Sequence, residues 1–224
     1  MPMEDFEIQR RLMLENVVAA TVHVSGLIGK PALDERVMNA MGKVPRHDFV
    51  PIELRPYAYF DIPLPIGFSK TISQPFIVAL MTDLLDINPD DAILEIGTGL
   101  GYQAAILAQL ARKVYSIELI EELGQQAKQR LCRLGYTNVK LKIANGYHGW
   151  PEHAPFDKVI VTAAPDLVPP PLIYQLKNGG KMVVPAGLPD EQELVLVNKD
   201  DEGRVTMKAI LPVRFSQLEE AEFG

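Results

Sequence analysis

Glu95, Gly97, Gly99 and Gly101 stand at alternate positions in the run Ala92-Ile93-Leu94-Glu95-Ile96-Gly97-Thr98-Gly99-Leu100-Gly101-Tyr102. The residues up to Ile96 form a short apolar run, the pattern of a strand buried on both faces of a parallel sheet. From Tyr102 to Ala111 the Ala and Leu content and the length predict a helix. Glycines between a strand and a helix permit a tight turn and a close approach of ligand to backbone. They would leave amide N–H groups and a helix N-terminus facing that ligand. The layout is that of a nucleotide-type ligand site at the carboxyl end of a strand.

Spacing narrows the ligand. The dinucleotide fingerprint is G-x-G-x-x-G, whereas Gly97, Gly99 and Gly101 are one residue tighter. Glu95 sits between Leu94 and Ile96, and an unpaired carboxylate in such a strand is costly, so a cationic or donor-rich partner should meet it. S-Adenosylmethionine offers an ammonium and a sulfonium, and E-x-G-x-G-x-G is the motif of enzymes that use it. A second apolar run, Val114-Tyr115-Ser116-Ile117, ends in Glu118, where an acid can accept from two ribose hydroxyls.

The elements that must hold these residues follow from the rest of the chain. At 224 residues, 47% of them hydrophobic and 23% charged, it fits one domain with a sizeable core. A net charge of −7 argues against duplex nucleic acid or an anionic membrane as the main partner. The single cysteine, Cys132, fits a reducing compartment and falls in the helical stretch Glu121–Leu134, where packing is its expected role. The four histidines show no metal-ligand spacing, so no metal is expected. With no apolar run of transmembrane length and an acidic start unlike a signal peptide, the expected location is cytoplasmic.

Phe6 to Val24 reads as a helix with apolar Ile8, Leu12, Leu14, Val17 and Val18, stopped by Ser25-Gly26, and Pro31 to Met41 as a second. Together they form a helical cap. Tyr57 to Thr71 lacks periodicity and reads as a long irregular apolar loop. It leads into Thr71-Ile72-Ser73-Gln74-Pro75, which opens a helix through Leu85, with Ser73 in the place of an N-cap. A nucleophilic serine would need a base, and no histidine is paired with it in any motif. After the glycine run, helix Ile120–Leu134 and strands Val139–Ile143, Lys158–Thr162 and Lys181–Pro185 alternate with loops, Asn178-Gly179-Gly180 being a turn. Leu194–Val197 and Val205–Leu211 read as a closing antiparallel pair, and the acidic end Glu219–Glu222 as a solvated terminus. The predicted fold is α/β, a doubly wound mixed sheet with an N-terminal helical cap.

Several segments together resemble the protein-L-isoaspartate O-methyltransferase family. They are Val44-Pro45-Arg46 with Phe49-Val50-Pro51, Asp61-Ile62-Pro63-Leu64-Pro65-Ile66-Gly67, Thr71-Ile72-Ser73-Gln74-Pro75, Leu94 to Tyr102, and Val114 to Glu118. Asn145 to Trp150, Phe156 to Ala164 and Val213-Arg214-Phe215 complete the set, which covers roughly Leu33 to Phe215. The glycine motif is general to methyltransferases, whereas the segment ending in Thr71-Ile72-Ser73 is specific to this family. The resemblance implies a single methyltransferase domain over 1–224, divided into N-terminal helices and substrate loop (1–72), cofactor-binding core (73–186), and closing strands with tail (187–224). It implies S-adenosylmethionine as methyl donor, S-adenosylhomocysteine as product, and the free α-carboxylate of L-isoaspartyl residues in peptides or flexible, damaged protein segments as acceptor.

Carried onto this chain, the resemblance places Ser73 at the substrate carboxylate as the catalytic residue. Cofactor contacts would come from Ile72, Ser73, Gln74, Glu95, Gly97, Thr98, Gly99, Gly101 and Tyr102, with Glu118 at the ribose and Asn145 and Gly146 at the adenine. Ile66, Thr71, Ser73, Val213 and Arg214 would meet the substrate. A monomer without nucleic-acid or membrane partners is expected. The family usually has Asp-Gly where Asn145-Gly146 stands, and Val-Pro where Ser216-Gln217 follows Phe215. The chemistry agrees with the absence of a base: a carboxylate with pKa near ~4 is already ionised at pH 7. The alternatives are another small S-adenosylmethionine-dependent enzyme acting on a different carboxylate or an amine, and a non-catalytic relative. Thr162-Ala163-Ala164-Pro165 lacks the Asn/Asp-Pro-Pro-Tyr expected for amine methylation.

Overall fold

A computed structural model describes residues 3–219 of the chain. Its centre is a seven-stranded sheet of β3 (Ala92–Ile96), β4 (Lys113–Glu118), β5 (Val139–Ile143), β6 (Phe156–Val161), β7 (Leu176–Ala186), β8 (Gln192–Lys199) and β9 (Val205–Val213). The spatial order is β5-β4-β3-β6-β7-β8-β9. Strands β3 to β7 are parallel, β8 runs antiparallel to β7, and β9 antiparallel to β8, so the sheet is mixed. The chain steps outward from β3 through β4 to β5, then returns to lay β6 on the other side of β3. That reversal is the topological switch point where open α/β sheets bind ligands.

Alternation along the central strands feeds two cores. Ile93, Val114, Ile160 and Val183 face one side, and Leu94, Ile96, Val159, Val161 and Met182 the other. Helices α4 (Pro75–Leu84), α5 (Tyr102–Ala108), α6 (Glu121–Arg133) and α7 (Pro170–Tyr174) complete the layers. The N-terminal cap consists of α1 (Met3–His23), α2 (Ser25–Ile28) and α3 (Glu35–Lys43), with α1 and α3 lying against α4. Among the described residues no helix is long and apolar enough to cross a membrane.

The structure corrects six sequence expectations. Ser25-Gly26 begins the short α2 rather than ending the helical region, and the next helix starts at Glu35, where Asp34 caps the Arg36 amide. On α1 the buried face is Met13, Val17 and Thr21, whereas Ile8, Leu12 and Val18 are exposed: the helix is apolar on more than one side, so apolarity alone misassigns its inner face. The segment Tyr57–Thr71 is not irregular throughout, for Leu64–Gly67 (β1) and Lys70–Ile72 (β2) pair as a hairpin. Its strands are too short, and too interrupted by Pro65, to show as alternation in sequence. Asn178-Gly179-Gly180 lies within β7, where the β6–β7 pairing shifts register and Gly179 has φ +75°. Finally, Cys132 is exposed on α6 rather than packed. The acidic end expected to be solvated lies, beyond Glu219, outside the described residues.

Candidate active site

At the carboxyl ends of β3, β4 and β6 lies a cavity of about 510 Å³. One wall belongs to the sheet. Gly97, Thr98 and Gly99 leave β3, Glu118 ends β4, Gly146 follows β5, and Thr162 follows β6. The opposite wall is made of Ile66, Lys70, Thr71, Ile72, Ser73 and Gln74 from the hairpin and the start of α4, and of residues 212–219. The C-terminal stretch is held over the cavity by Ala164, whose amide donates to the Ser216 carbonyl and whose carbonyl accepts from Leu218.

The glycine loop is closed on itself. The amides of Gly97 and Thr98 both donate to the Ile117 carbonyl, Gly99 N–H donates to Glu118 Oε2 at 2.7 Å, and Gly101 N–H donates to the Thr98 carbonyl. The expectation that loop amides would face a ligand therefore fails for these four: their hydrogens are engaged within the protein. Engaged in this way, those four amides cannot hold a pyrophosphate, which binds through such groups. Gly97 has φ +92°, and a Cβ there would lie 2.4 Å from Thr162 Oγ1, which itself donates to the Gly97 carbonyl at 2.6 Å. Gly101 is off the cavity wall. It caps α5 with φ +97° and lets Leu131 pack within 3.3 Å of its Cβ position.

The two acids separate in role. Glu118 lines the cavity, with Oε2 on Gly99 N–H and Oε1 accepting from Ile120 N–H at 3.0 Å. Burial raises its carboxyl above the usual range, opposed by those amides. Each oxygen keeps a lone pair for a ligand hydroxyl. Glu95 does not line the cavity. It is fully buried beside its register partner Ser116, which donates to Oε2 and is itself hydrogen-bonded to Thr98 Oγ1 at 2.5 Å. Oε1 has no partner. Burial pushes the Glu95 carboxyl up to about 8, against the lowering effect of Ser116 and with the Glu118 charge adding to the rise. Of the cationic or donor-rich partner expected from the sequence, the described residues supply a donor, Ser116, and Glu95 reaches the cavity wall only through Ser116 and Thr98.

Ser73 lines the cavity but is not the helix N-cap expected for it. Gln74 holds that position without a side-chain cap, and the Phe76 amide donates instead to Asp61 Oδ1 at 2.8 Å, while Gln74 Nε2 donates to Asp61 Oδ2. Asp61, fifteen residues back in the connecting segment, is therefore the cap. Behind Ser73 lies Arg46, fully buried, donating to the Ala58 carbonyl at 2.8 Å and the Ser73 carbonyl at 2.7 Å. Its guanidinium carbon sits 4.8 Å from the ring centroid of Tyr102, another wall residue. None of the four histidines lines the cavity, and His47 is spent in the cap, bonded to the Tyr59 hydroxyl and stacked on Phe6.

Of the remaining sequence-predicted residues, Ile66, Thr71, Ile72, Gln74, Thr98, Tyr102, Gly146, Val213 and Arg214 come together on the wall. Asn145 does not: its Oδ1 accepts from the Tyr147 amide and caps a short turn that delivers Gly146. A Cβ on Gly146 would lie 2.4 Å from Ile96 Cγ2, so this corner works through backbone. Sequence reasoning missed Asp61, Lys70, Gln103 and Thr162. Gln103 lines the cavity with Nε2 on Thr82 Oγ1 and a buried Oε1 that has no partner. The periodicity of α5 marks it only as a helix residue; a glutamine amid Ala and Ile was the available signal.

The Glu118 carboxylate on the wall, with the amides of Gly97, Thr98, Gly99 and Gly101 already engaged, suits a ligand bearing ribose hydroxyls. These residues fit S-adenosylmethionine.

Comparison with known proteins agrees. The family model for protein-L-isoaspartate(D-aspartate) O-methyltransferase (PCMT) matches residues 24–222. A protein-L-isoaspartate O-methyltransferase 1 of Polaromonas sp. is 68% identical over 220 residues, covering 98% of this chain and 93% of that one. A protein-L-isoaspartate O-methyltransferase 2 of Syntrophobacter fumaroxidans is 55% identical, covering 93% of this chain and 85% of its own length. Among solved structures, a protein-L-isoaspartate O-methyltransferase superposes with TM-score 0.80 at 28% identity over 94% of this chain and 66% of that chain. A Plasmodium falciparum structure, described as a putative protein-L-isoaspartate O-methyltransferase in complex with S-adenosyl-L-homocysteine, shares the fold with TM-score 0.76 at 24% identity, over 94% of this chain and 98% of that one.

Proposed function

We propose how this cavity works from the premise that the chain belongs to the protein-L-isoaspartate(D-aspartate) O-methyltransferase family. It transfers the methyl group of S-adenosylmethionine to the free α-carboxylate of L-isoaspartyl residues in peptides and proteins, the step that starts their repair. When bound, the cofactor supplies an electrophilic methyl on a sulfonium.

The residues of the chain then have three tasks. Glu118, Thr98, Gly97, Gly99, Gly146, Tyr102 and Gln103 hold the cofactor, with Glu118 at the ribose. Glu95, Gly101 and Asn145 act from behind the wall by fixing Ser116, α5 and the turn at Gly146. Ile66, Thr71, Ile72, Ser73, Gln74, Val213 and Arg214 form the opposite wall and take the substrate. Ser73 orients the carboxylate through its hydroxyl. An ionised carboxylate needs no proton removed, which accords with a cavity that no histidine lines. Joining an anion to a sulfonium neutralises charge, so positioning in a partly dehydrated site supplies most of the acceleration.

The observation that carries this reading is the pairing of a self-satisfied glycine loop with a hairpin that brings Thr71, Ile72 and Ser73 opposite it. The net charge of −7 supports work without nucleic acid. Methyl transfer from labelled donor to a peptide pair differing only in Asp versus isoAsp tests the reading. Transfer to the isoaspartyl peptide alone is expected. Equal rates on both, or transfer to an amine, would make the chain a different kind of methyltransferase.

A further inference from the structure

Among the described residues, four charged side chains stand on the cavity wall: Lys70, Glu118, Arg214 and Glu219. Glu118 is committed to the glycine loop. Arg214 is 84% exposed and lies 3.5 Å from Asp190, itself 90% exposed, so water screens it. Lys70 is the less hydrated cation. Its side chain is 21% exposed, and Nζ donates to Glu219 Oε1 at 2.5 Å. It is also close enough to Glu118 to lower that carboxyl.

The two partners differ in how they are held. Lys70 follows a hairpin turn in which Gly67, Phe68 and Ser69 have φ of +95°, +53° and +55°, conformations with little freedom for the two residues that carry a Cβ. Glu219 is the last described residue, 59% exposed, one position beyond the Leu218 amide that anchors the C-terminal stretch. A fixed, largely desolvated cation thus holds a carboxylate of its own chain, in a cavity whose substrate is a carboxylate-bearing peptide.

We propose that Lys70 is a substrate-recognition residue for a second carboxylate of the isoaspartyl peptide, and that Glu219 is a resident stand-in which the peptide displaces. The proposal rests on the reading of the cavity as an isoaspartyl methyltransferase site. Lys70 does not serve the reacting carboxylate. It precedes Ser73 by three residues along extended chain, about 10 Å. A close ion pair to the reacting anion would also stabilise the ground state more than a transition state in which that charge is being neutralised. The same spacing along an extended peptide places the second carboxylate, an acidic side chain or a chain end, about three residues from the isoaspartate.

The test uses isoaspartyl peptides that differ only at the third residue to either side of the isoaspartate, which is Glu, Gln or Lys. Because one ion pair replaces another, the gain is modest: KM for the Glu peptide is expected about fivefold below that for the Gln peptide at low salt, with the Lys peptide weakest. The preference should shrink as salt rises. It should vanish in Lys70→Gln and grow in Glu219→Gln, where the competitor is gone. Equal KM for the Glu and Gln peptides in the unmodified enzyme, or a preference that survives Lys70→Gln, would overturn the proposal while leaving the methyltransferase reading intact. Failure to methylate any of the isoaspartyl peptides would overturn that reading, and the proposal with it.

Discussion

The sheet wall and the opposite wall of the cavity are held by different forces. On the sheet side, the shape of the glycine loop is fixed by backbone: four amides donate inward, and Thr162 locks the Gly97 carbonyl. On the other side, hairpin, helix start and C-terminal stretch are held mainly by side chains, Asp61 on α4, Arg46 on the Ser73 carbonyl, Lys70 on Glu219. The first wall leaves no room for a Cβ at Gly97 or Gly146 and is held by the neighbouring strands. The second depends on contacts across long stretches of sequence, and so can vary its reading of the peptide without disturbing the cofactor.

The largest effect is expected at Gly97. Gly97→Val puts a β-branched residue at φ +92° with Thr162 Oγ1 in the way, and should cost about 3 kcal/mol of stability and abolish S-adenosylhomocysteine binding by calorimetry. Gly99→Ala, at φ +55° with only the end of the Ile66 side chain 3.2 Å away, should be much milder. Equal losses would show that the loop is not held as described.

Ser73 sharpens the contrast from the other wall. Since Asp61 is the cap, Ser73→Ala should change stability by less than about 0.5 kcal/mol in chemical denaturation. It should nevertheless raise the methyl-transfer barrier by about 1–3 kcal/mol, the range for one hydrogen bond to a charged group. Ser73→Asp should be worse, placing a like charge beside the substrate anion. A fully active Ser73→Asp enzyme would remove the serine from the reaction.

Glu95 tests how far the sheet wall is a matter of burial. Its carboxyl rises from an ordinary 4.5 to about 8 on folding. Protonation therefore favours the folded state: the contribution is complete below about 4.5 and is lost as pH rises towards 8. Relative to Glu95→Gln, the unmodified protein without cofactor should lose stability across that window, by up to about 1.4 kcal/mol per pH unit. Denaturation at several pH values checks it, and a flat difference would mean that the carboxylate finds a partner. Asp61→Ala is expected to cost about 1 kcal/mol in stability, the ordinary cost of a lost cap.

Legibility followed the same divide. The sheet wall was readable because a buried parallel strand, a glycine turn and a terminal acid are all local patterns. Even there, sequence could not say that the loop amides would be satisfied internally or that Glu95 would point away from the cavity, since both depend on the register of β3 against β4. The other wall was readable as motifs and not as mechanism. Ser73 looked like a cap because serine before Gln-Pro is good local grammar; the actual cap comes from Asp61, which no window of a few residues contains. Lys70 drew no notice because its partner lies 149 positions away. The hairpin escaped because Pro65 and strands of four and three residues give alternation no room to register.

The capping of α4 by Asp61 has a consequence for motion. A helix capped from within frays on its own; this one cannot release its first turn without also freeing the segment that carries Asp61, nor can that segment lift without exposing the Phe76 amide. The two should behave as one cooperative opening unit. Amide hydrogen exchange at Phe76 then becomes a clock for the substrate wall, and a bound peptide that stills the hairpin should slow it while leaving exchange at β3 and β4 unchanged.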